Sequence, residues 1–294
     1  MDFGVIFLSL WLFLMATTVY GQTTIQDDTG VAVTVHGPAE RIISLAPHVT
    51  ELLYAAGAGA QIVAAVEYSD YPAQARDLPR IGNSNALDLE RIISLQPDLI
   101  VGWHSGNPAN TVAKLRSLGM TVFMSEPRTF DDIAVNIEKL GWLARTENIA
   151  QLAAVSFREE LKKLRQQAQG RARLRVFYQI SYTPLFTVNG RHLISQALDL
   201  CGGDNIFAAL EPVAPQVSEE SVIQANPQII IGAHYESGLP SWGQRWRRWQ
   251  DMDAVRYQNI FTIHPDVIAR HTPRILLGTR KICEYFTQAA ARLR

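Results

Sequence analysis

The sequence predicts an α/β protein of two lobes with mainly parallel sheets, joined by one long backbone helix, and three observations carry that prediction. From Arg41 to about Glu126, short apolar runs alternate with segments of helical period. That alternation builds a parallel sheet with helices on its faces. The segment Glu90 to His104, moved 130 places along the chain, falls on Glu220 to His234: Glu90 on Glu220, Ile93 on Ile223, Pro97 on Pro227, Gly102 on Gly232, His104 on His234. Both copies read as an acidic helix start, an apolar helix, a proline stop and a buried strand, so two related lobes are expected, each presenting one glutamate at the same place. Third, "ENIAQLAAVSFREELKKLRQQAQGRAR" carries a narrow apolar stripe (Ile149, Ala153, Phe157, Leu161, Leu164) on an otherwise polar run that nothing interrupts. It predicts a single surface helix over about 30 Å long.

In chain order, "TIQDDTGVAVTVHG" reads as a hairpin turning at "DTG". The strands of the first lobe are "RIISLA", "QIVAAV", "DLIVGW" and "TVFMSE". "HVTELLYAAGAG" is a helix closed by glycines, and Thr129 caps a helix through "FDDIAVNIEKLGWLA", with Asp131 and Asp132 in its first turn. The phrase "RIISLAP" at Arg41 returns as "RIISLQP" at Arg91. It does not repeat structurally: the first copy is a strand entry, whereas Asp88 caps the second and Leu89, Ile92, Ile93 and Leu95 suit one helical face. The second lobe runs from "RVFYQI" through "FTVNG", a helix at "ISQALDLCGG", the echoed helix and strand, a helix with Trp242, Trp246 and Trp249 on one side as packing, the strand "QNIFTI" and a last helix from "TPRILL".

The chain is 294 residues long with a formal net charge of −1, enough for two ordinary domains. It lacks the basic run that nucleic acid demands, so no nucleic-acid partner is expected. At the N-terminus an apolar run from Val5 to Ala16 precedes small and polar residues, with Val19 and Gly21 at the cleavage positions. Residues 1–21 therefore read as a cleaved signal peptide, too short to span a membrane, although Asp2 stands where a basic residue is usual. No cysteine follows the cleavage site, so no lipid anchor is expected there, and the protein is placed in the periplasm. The expected division is 22–145 for the first lobe, 146–172 for the linking helix and 173–294 for the second lobe. Cys201 and Cys283 are the only cysteines. In an exported chain they invite a disulfide, with two buried thiols as the alternative.

No nucleophile elbow, H-E-x-x-H, Walker loop or dinucleotide fingerprint occurs, so no catalytic residues and no enzyme activity are expected. Of the seven histidines, only His48 and His104 follow strands of one lobe in a way that lets them converge, and no metal site is assigned. Tyr68, Tyr71, Trp103 and Phe186 sit at loop tips of both lobes. Together they suit a cleft for a large, flat, partly apolar ligand.

The frame "RIISLAPHVTELLYAAG", "YSDYP", "LDLERIISLQPDLIVGW", "LCGGDNIF", "PQVSEESV" and "HTPRI" resembles the periplasmic solute-binding proteins of ABC importers for cobalamin and, more broadly, ferric siderophores and haem. The resemblance covers nearly all of the mature chain and implies the class III architecture: a ligand held between two lobes, a monomer, no cofactor, and cobalamin as the transported ligand. It also implies that Glu90 and Glu220 dock against arginines of the membrane permease of an ABC transporter. The cobalamin branch is nearest, which implies a Cys201–Cys283 disulfide and contacts to the corrin from Tyr68, Trp103, Phe186, Asp266 and Arg270. The chain departs from that branch at Ser84, Ala214 and Val267, where further tryptophans are expected, and at His48, where a small residue is expected. Facing inward, His48 would be able to ligate cobalt or haem iron. A haem or ferric-siderophore binding protein is the alternative within the class, with Arg128 and Arg191 as further basic candidates. An exported enzyme acting on a metallated tetrapyrrole is the alternative outside it.

Overall fold

A computed structural model describes residues 22–235 and 240–294, so the expected signal segment lies outside the described residues. The expected hairpin forms from β1 (Gln22–Gln26) and antiparallel β2 (Ala32–His36). The first lobe then runs β3 (Ile42–Ser44), α1 (Pro47–Ala55), β4 (Ile62–Ala65), a small ribbon of β5 (Gly82–Asn83) and β6 (Ala86–Leu87), α2 (Leu89–Ser94), β7 (Leu99–Trp103), α3 (Ala109–Ser117), β8 (Val122–Ser125) and α4 (Phe130–Ala144). After α5 (Glu147–Ala168), the second lobe comprises β9 (Leu174–Gln179), the short pair β10 (Ser181–Tyr182) and β11 (Leu185–Phe186), α6 (Leu193–Leu200), β12 (Gly203–Asn205), α7 (Glu219–Ala225), β13 (Ile229–Ala233), α8 (Ser241–Trp246), α9 (Asp253–Arg256), β14 (Ile260–Ile263) and α10 (Ile275–Arg292).

The two main sheets are four-stranded and parallel, ordered β4-β3-β7-β8 and β12-β9-β13-β14. Their orders match strand for strand. Each is buried on both faces, as a parallel sheet must be. Leu99 and Val101 of β7 face the core shared with α4 and α5, while Ile100 between them faces the outer helices; in β13, Ile229 and Ile231 alternate with Ile230 in the same way.

The 130-residue echo extends to backbone detail. Asp88 and Ser218 cap α2 and α7 through their side chains, accepting from the N–H of Arg91 and Ser221. Each helix unwinds through a left-handed residue just before the proline, Gln96 at φ 47° and Asn226 at φ 42°. Arg41 and Arg175 then donate from their guanidinium groups to the carbonyls that close these helices, Leu95 O and Asn226 O. The phrase beginning at Arg41 is strand β3 and the one beginning at Arg91 is helix α2, so the copied letters carry no copied structure.

Helix α5 spans 22 residues, about 33 Å. Its buried stripe is Ala150, Ala154, Phe157, Leu161, Leu164 and Ala168; Ile149 is exposed and Ala153 only partly covered. The stripe thus begins one residue later than expected, because α5 leans on α4, where Gly141 lies against Ala150. Arg158 ties α5 to Asp131 and Glu138 of α4, and Glu160 reaches Arg280 of α10. Helix α4 begins with the expected cap: Thr129 and Asp132 form a reciprocal capping box.

Other local expectations are corrected. Ile93 points outward on α2, since six residues cannot bury a face that wide. Of "FTVNG" only Phe186 belongs to a strand, β11, because the following backbone bonds to Pro215 and Val213 outside any ladder. Helix α8 stops at Trp246, so Trp242 and Trp246 pack inside while Trp249 lies beyond it and stacks with Arg248 at the surface. Cys201 and Cys283 form a disulfide that joins the end of α6 to α10 across 82 residues. A closed loop of that length stabilises by roughly 4 kcal/mol in the chain-entropy model.

Candidate functional site

The two lobes enclose a cavity of about 540 Å³. Its first-lobe wall is Trp103 at the end of β7 with Ser105, Glu126 and Arg128 in the adjoining loops; its second-lobe wall includes Arg191, His192 and His271. The position follows from the fold, because ligands of open parallel sheets collect beyond the carboxyl ends of the strands.

Trp103 is held by neighbours, not by its own backbone strand alone. Asn107, almost fully buried, accepts from the Trp103 N–H at 2.7 Å and donates to Leu45 O at 3.0 Å and Ser84 O at 2.9 Å. One amide therefore fixes the tryptophan loop to the end of β3 and to the β5–β6 ribbon. Gly106 makes room for the ring: a Cβ there would meet Trp103 at 1.8 Å. The His48 ring stands nearly perpendicular to Trp103 with centroids 5.2 Å apart.

His48 is 8% exposed, and no described group hydrogen-bonds its ring. Burial, aided by His271 and Arg270, lowers its pKa to about 3, so the imidazole is neutral. The convergence of His48 with His104 expected from the strand order does not form, for His104 is exposed. His48 instead packs against Trp103 and feels the charges of His271 and Arg270 from the other lobe. His192 and His271 lie edge to face at 5.7 Å, and burial lowers His192 to about 4 and His271 in the same direction.

Arg270 and Asp266 form an ion pair at 3.0 Å. The sequence gives no sign of what else they join. Glu51, on α1 and 4% exposed, receives Arg270 at 3.0 Å, Thr272 at 2.8 Å, and Arg274 through Nε at 2.9 Å and Nη2 at 2.5 Å. Asp70 adds a 2.8 Å bond to Arg270, and Arg274 lies over the Tyr71 ring at 4.0 Å. A first-lobe carboxylate thus binds three alternate residues of the second lobe, Arg270, Thr272 and Arg274. Against the cost of burial, its bonds to Asp70 and Glu51 hold the Arg270 guanidinium above its usual pKa. Gly278 lets α10 approach this loop, since a Cβ there would meet Val267 O at 2.3 Å.

Tyr68 stands away from this cluster, 74% exposed and in the left-handed region at φ 64°, which turns its ring out of the loop. Phe186 pairs with Ser181 and bridges Gln216; it is not among the residues lining the cavity. Glu90 and Glu220 both occupy the second position of their helices, exposed, and neither makes an ion pair among the described residues. Its neighbour Glu219 is engaged by Tyr182 and Arg248. Among the described residues, no group of three or more His, Cys, Asp or Glu side chains is arranged to hold a free metal ion.

A profile of the periplasmic binding protein family matches residues 42–267. A vitamin B12-binding protein of Vibrio cholerae is 44% identical over 249 residues, 84% of this chain and 89% of the relative. One from Vibrio parahaemolyticus is 41% identical over 250 residues, 85% of this chain and 90% of the relative. The crystal structure of the periplasmic vitamin B12 binding protein of Vibrio cholerae superposes with a TM-score of 0.80 at 43% identity, covering 86% of this chain and 98% of that one. The apo periplasmic heme-binding protein from Roseiflexus sp. RS-1 shares the fold at 24% identity and a TM-score of 0.75, covering 86% and 99%.

Proposed function

The chain belongs to the periplasmic binding protein family, and from that premise we propose that it captures cobalamin or a close corrinoid between its lobes and delivers it to the permease of an ABC transporter. It is not an enzyme, and cobalamin is cargo, not cofactor. The observation that carries the reading is the inter-lobe cavity walled by Trp103, with Glu126, Arg128 and Arg191 among its polar lining. An aromatic plate with polar groups at its rim suits a flat macrocycle bearing amide arms. In this reading the protein works as a monomer in the periplasm after loss of residues 1–21, without a lipid anchor. Residues 22–145 and 173–294 act as the lobes on either side of α5.

Calorimetric titration of residues 22–294 with cyanocobalamin, and with haemin in parallel, tests the reading. Submicromolar binding of cyanocobalamin is expected, weakened about tenfold or more in Trp103→Ala, a loss of at least about 1.4 kcal/mol. Tight haemin binding with no cobalamin heat would transfer the chain to the haem-binding alternative.

Docking is assigned to Glu90 and Glu220. They stand at equivalent helix starts, exposed and unpaired among the described residues, which suits them to two arginines related by the same pseudo-symmetry. Such charges set orientation and encounter rate more than affinity. Glu90→Lys/Glu220→Lys is expected to keep ligand affinity while cutting uptake by a reconstituted transporter at least tenfold, with each single variant falling between. Unimpaired uptake by the double variant would remove the assignment.

A further inference from the structure

We infer that His271 is a coordinating ligand for the metal of the captured corrinoid, so that a cobalt(III) corrinoid with an exchangeable water in its upper axial position is bound through a cobalt–imidazole bond. The inference rests on the cobalamin reading above and adds a site to it. The hydrogen bonds of the cleft imidazoles single out His271. Its Nδ1 lies 2.7 Å from Pro127 O, a carbonyl that only accepts. The proton therefore sits on Nδ1, and Nε2 carries a free lone pair that no described group occupies. His192 has the opposite tautomer: its Nδ1 accepts from the Ile194 N–H at 3.1 Å, which puts the proton on Nε2. His48 is packed against Trp103 with no bond to fix its tautomer.

A metal-binding imidazole commonly donates its other N–H to a carbonyl or carboxylate, which orients the ring and raises its basicity. His271 already makes that bond, to a residue of the opposite lobe, and its side chain lines the cavity. Burial also keeps the ring neutral, as a ligand must be. In the exchange, water leaves cobalt with its electron pair, the Nε2 lone pair forms the new bond, and the proton stays on Nδ1, still donated to Pro127 O. No electron is transferred. Because the ring is anchored across the cleft, the bond would also tie the ligand to both lobes.

The test is a visible-absorption titration of the mature protein with aquacobalamin and, separately, with cyanocobalamin, whose cyanide does not exchange readily. Wild type is expected to shift the aquacobalamin spectrum to that of a nitrogen-ligated cobalt while leaving the cyanocobalamin spectrum unchanged. His271→Ala and His271→Gln are expected to abolish the shift and to weaken aquacobalamin at least tenfold more than they weaken cyanocobalamin, with the urea-unfolding midpoint of each variant as the control for folding. Equal binding of both corrinoids without a spectral shift would overturn the coordination and leave the cobalamin reading intact. A shift that survives in the His271 variants, or disappears in His48→Ala instead, would also overturn it. Failure of both corrinoids to bind would remove the reading and the inference together.

Discussion

Replacing Glu51 with alanine is expected to destabilise the protein by about 3–5 kcal/mol, the usual cost of stranding buried partner charges. Glu51 accepts from Arg270, Thr272 and the Nε–Nη2 edge of the Arg274 guanidinium, all contributed by the other lobe. Without it, Arg270 keeps Asp70 and Asp266, whereas Arg274, with a side chain only 16% exposed, retains the Tyr71 ring and no carboxylate. Glu51→Gln should lose nearly as much, since its amide would present hydrogens to a guanidinium that also only donates. Urea unfolding of Glu51→Ala, Arg274→Met and the double variant measures the term directly. A coupling energy above about 2 kcal/mol is expected, and one below about 0.5 kcal/mol would mean that the cluster contributes geometry without stability.

The same cluster bears on lobe motion. A carboxylate locked to three groups across the cleft, behind a single stiff helix, leaves little freedom for hinge closure. The wild-type scattering profile is therefore expected to change little on ligand addition, and that of Glu51→Ala to change more. Arg270 is part of that lock, held in place by Glu51, Asp70 and Asp266.

Elements with local signals were legible in the sequence. The long helix follows from an uninterrupted stripe, and the matching helix starts at Glu90 and Glu220 from a repeat whose caps, left-handed residues and prolines are each set within a few neighbouring positions. The glutamate hub was not, because in "HVTELL" Glu51 looks like any polar residue on a helix. Its partners lie 219, 221 and 223 residues later, and only docking of the lobes makes them neighbours. The histidines fail differently: strand order within a lobe pairs His48 with His104, whereas His104 is exposed and the ring beside His48 is Trp103. One signal was available and is suggestive in retrospect, for His271 precedes "TPRI" directly and so shares a loop with Arg270.

Those buried histidines make stability fall with acid well above the carboxylate range. His48 and His192 have folded-state pKa values lowered to about 3 and about 4, and His271 is lowered too, against 6.5 for the exposed group. Below pH 6.5 the unfolded chain takes up protons that the folded protein refuses. Stability is thus fully present above that pH and is lost as pH falls toward the folded values. Each such proton is worth about 1.4 kcal/mol per pH unit, so His48 and His192 alone imply a loss of about 2–3 kcal/mol per unit between pH 6 and 4.5. Asp70 and Glu219, whose pKa values are lowered, act with the same sign but only once the pH drops below their unfolded values of 3.8 and 4.5. The two windows separate the causes. Urea titrations at pH 7.5, 6 and 5 should give a steep decline in wild type and a slope shallower by about 1.4 kcal/mol per unit in His48→Ala, whatever that variant loses at neutral pH. Parallel slopes in the two proteins would mean that water reaches His48 in the folded state, with the lobes parting on protonation and the decline arising elsewhere.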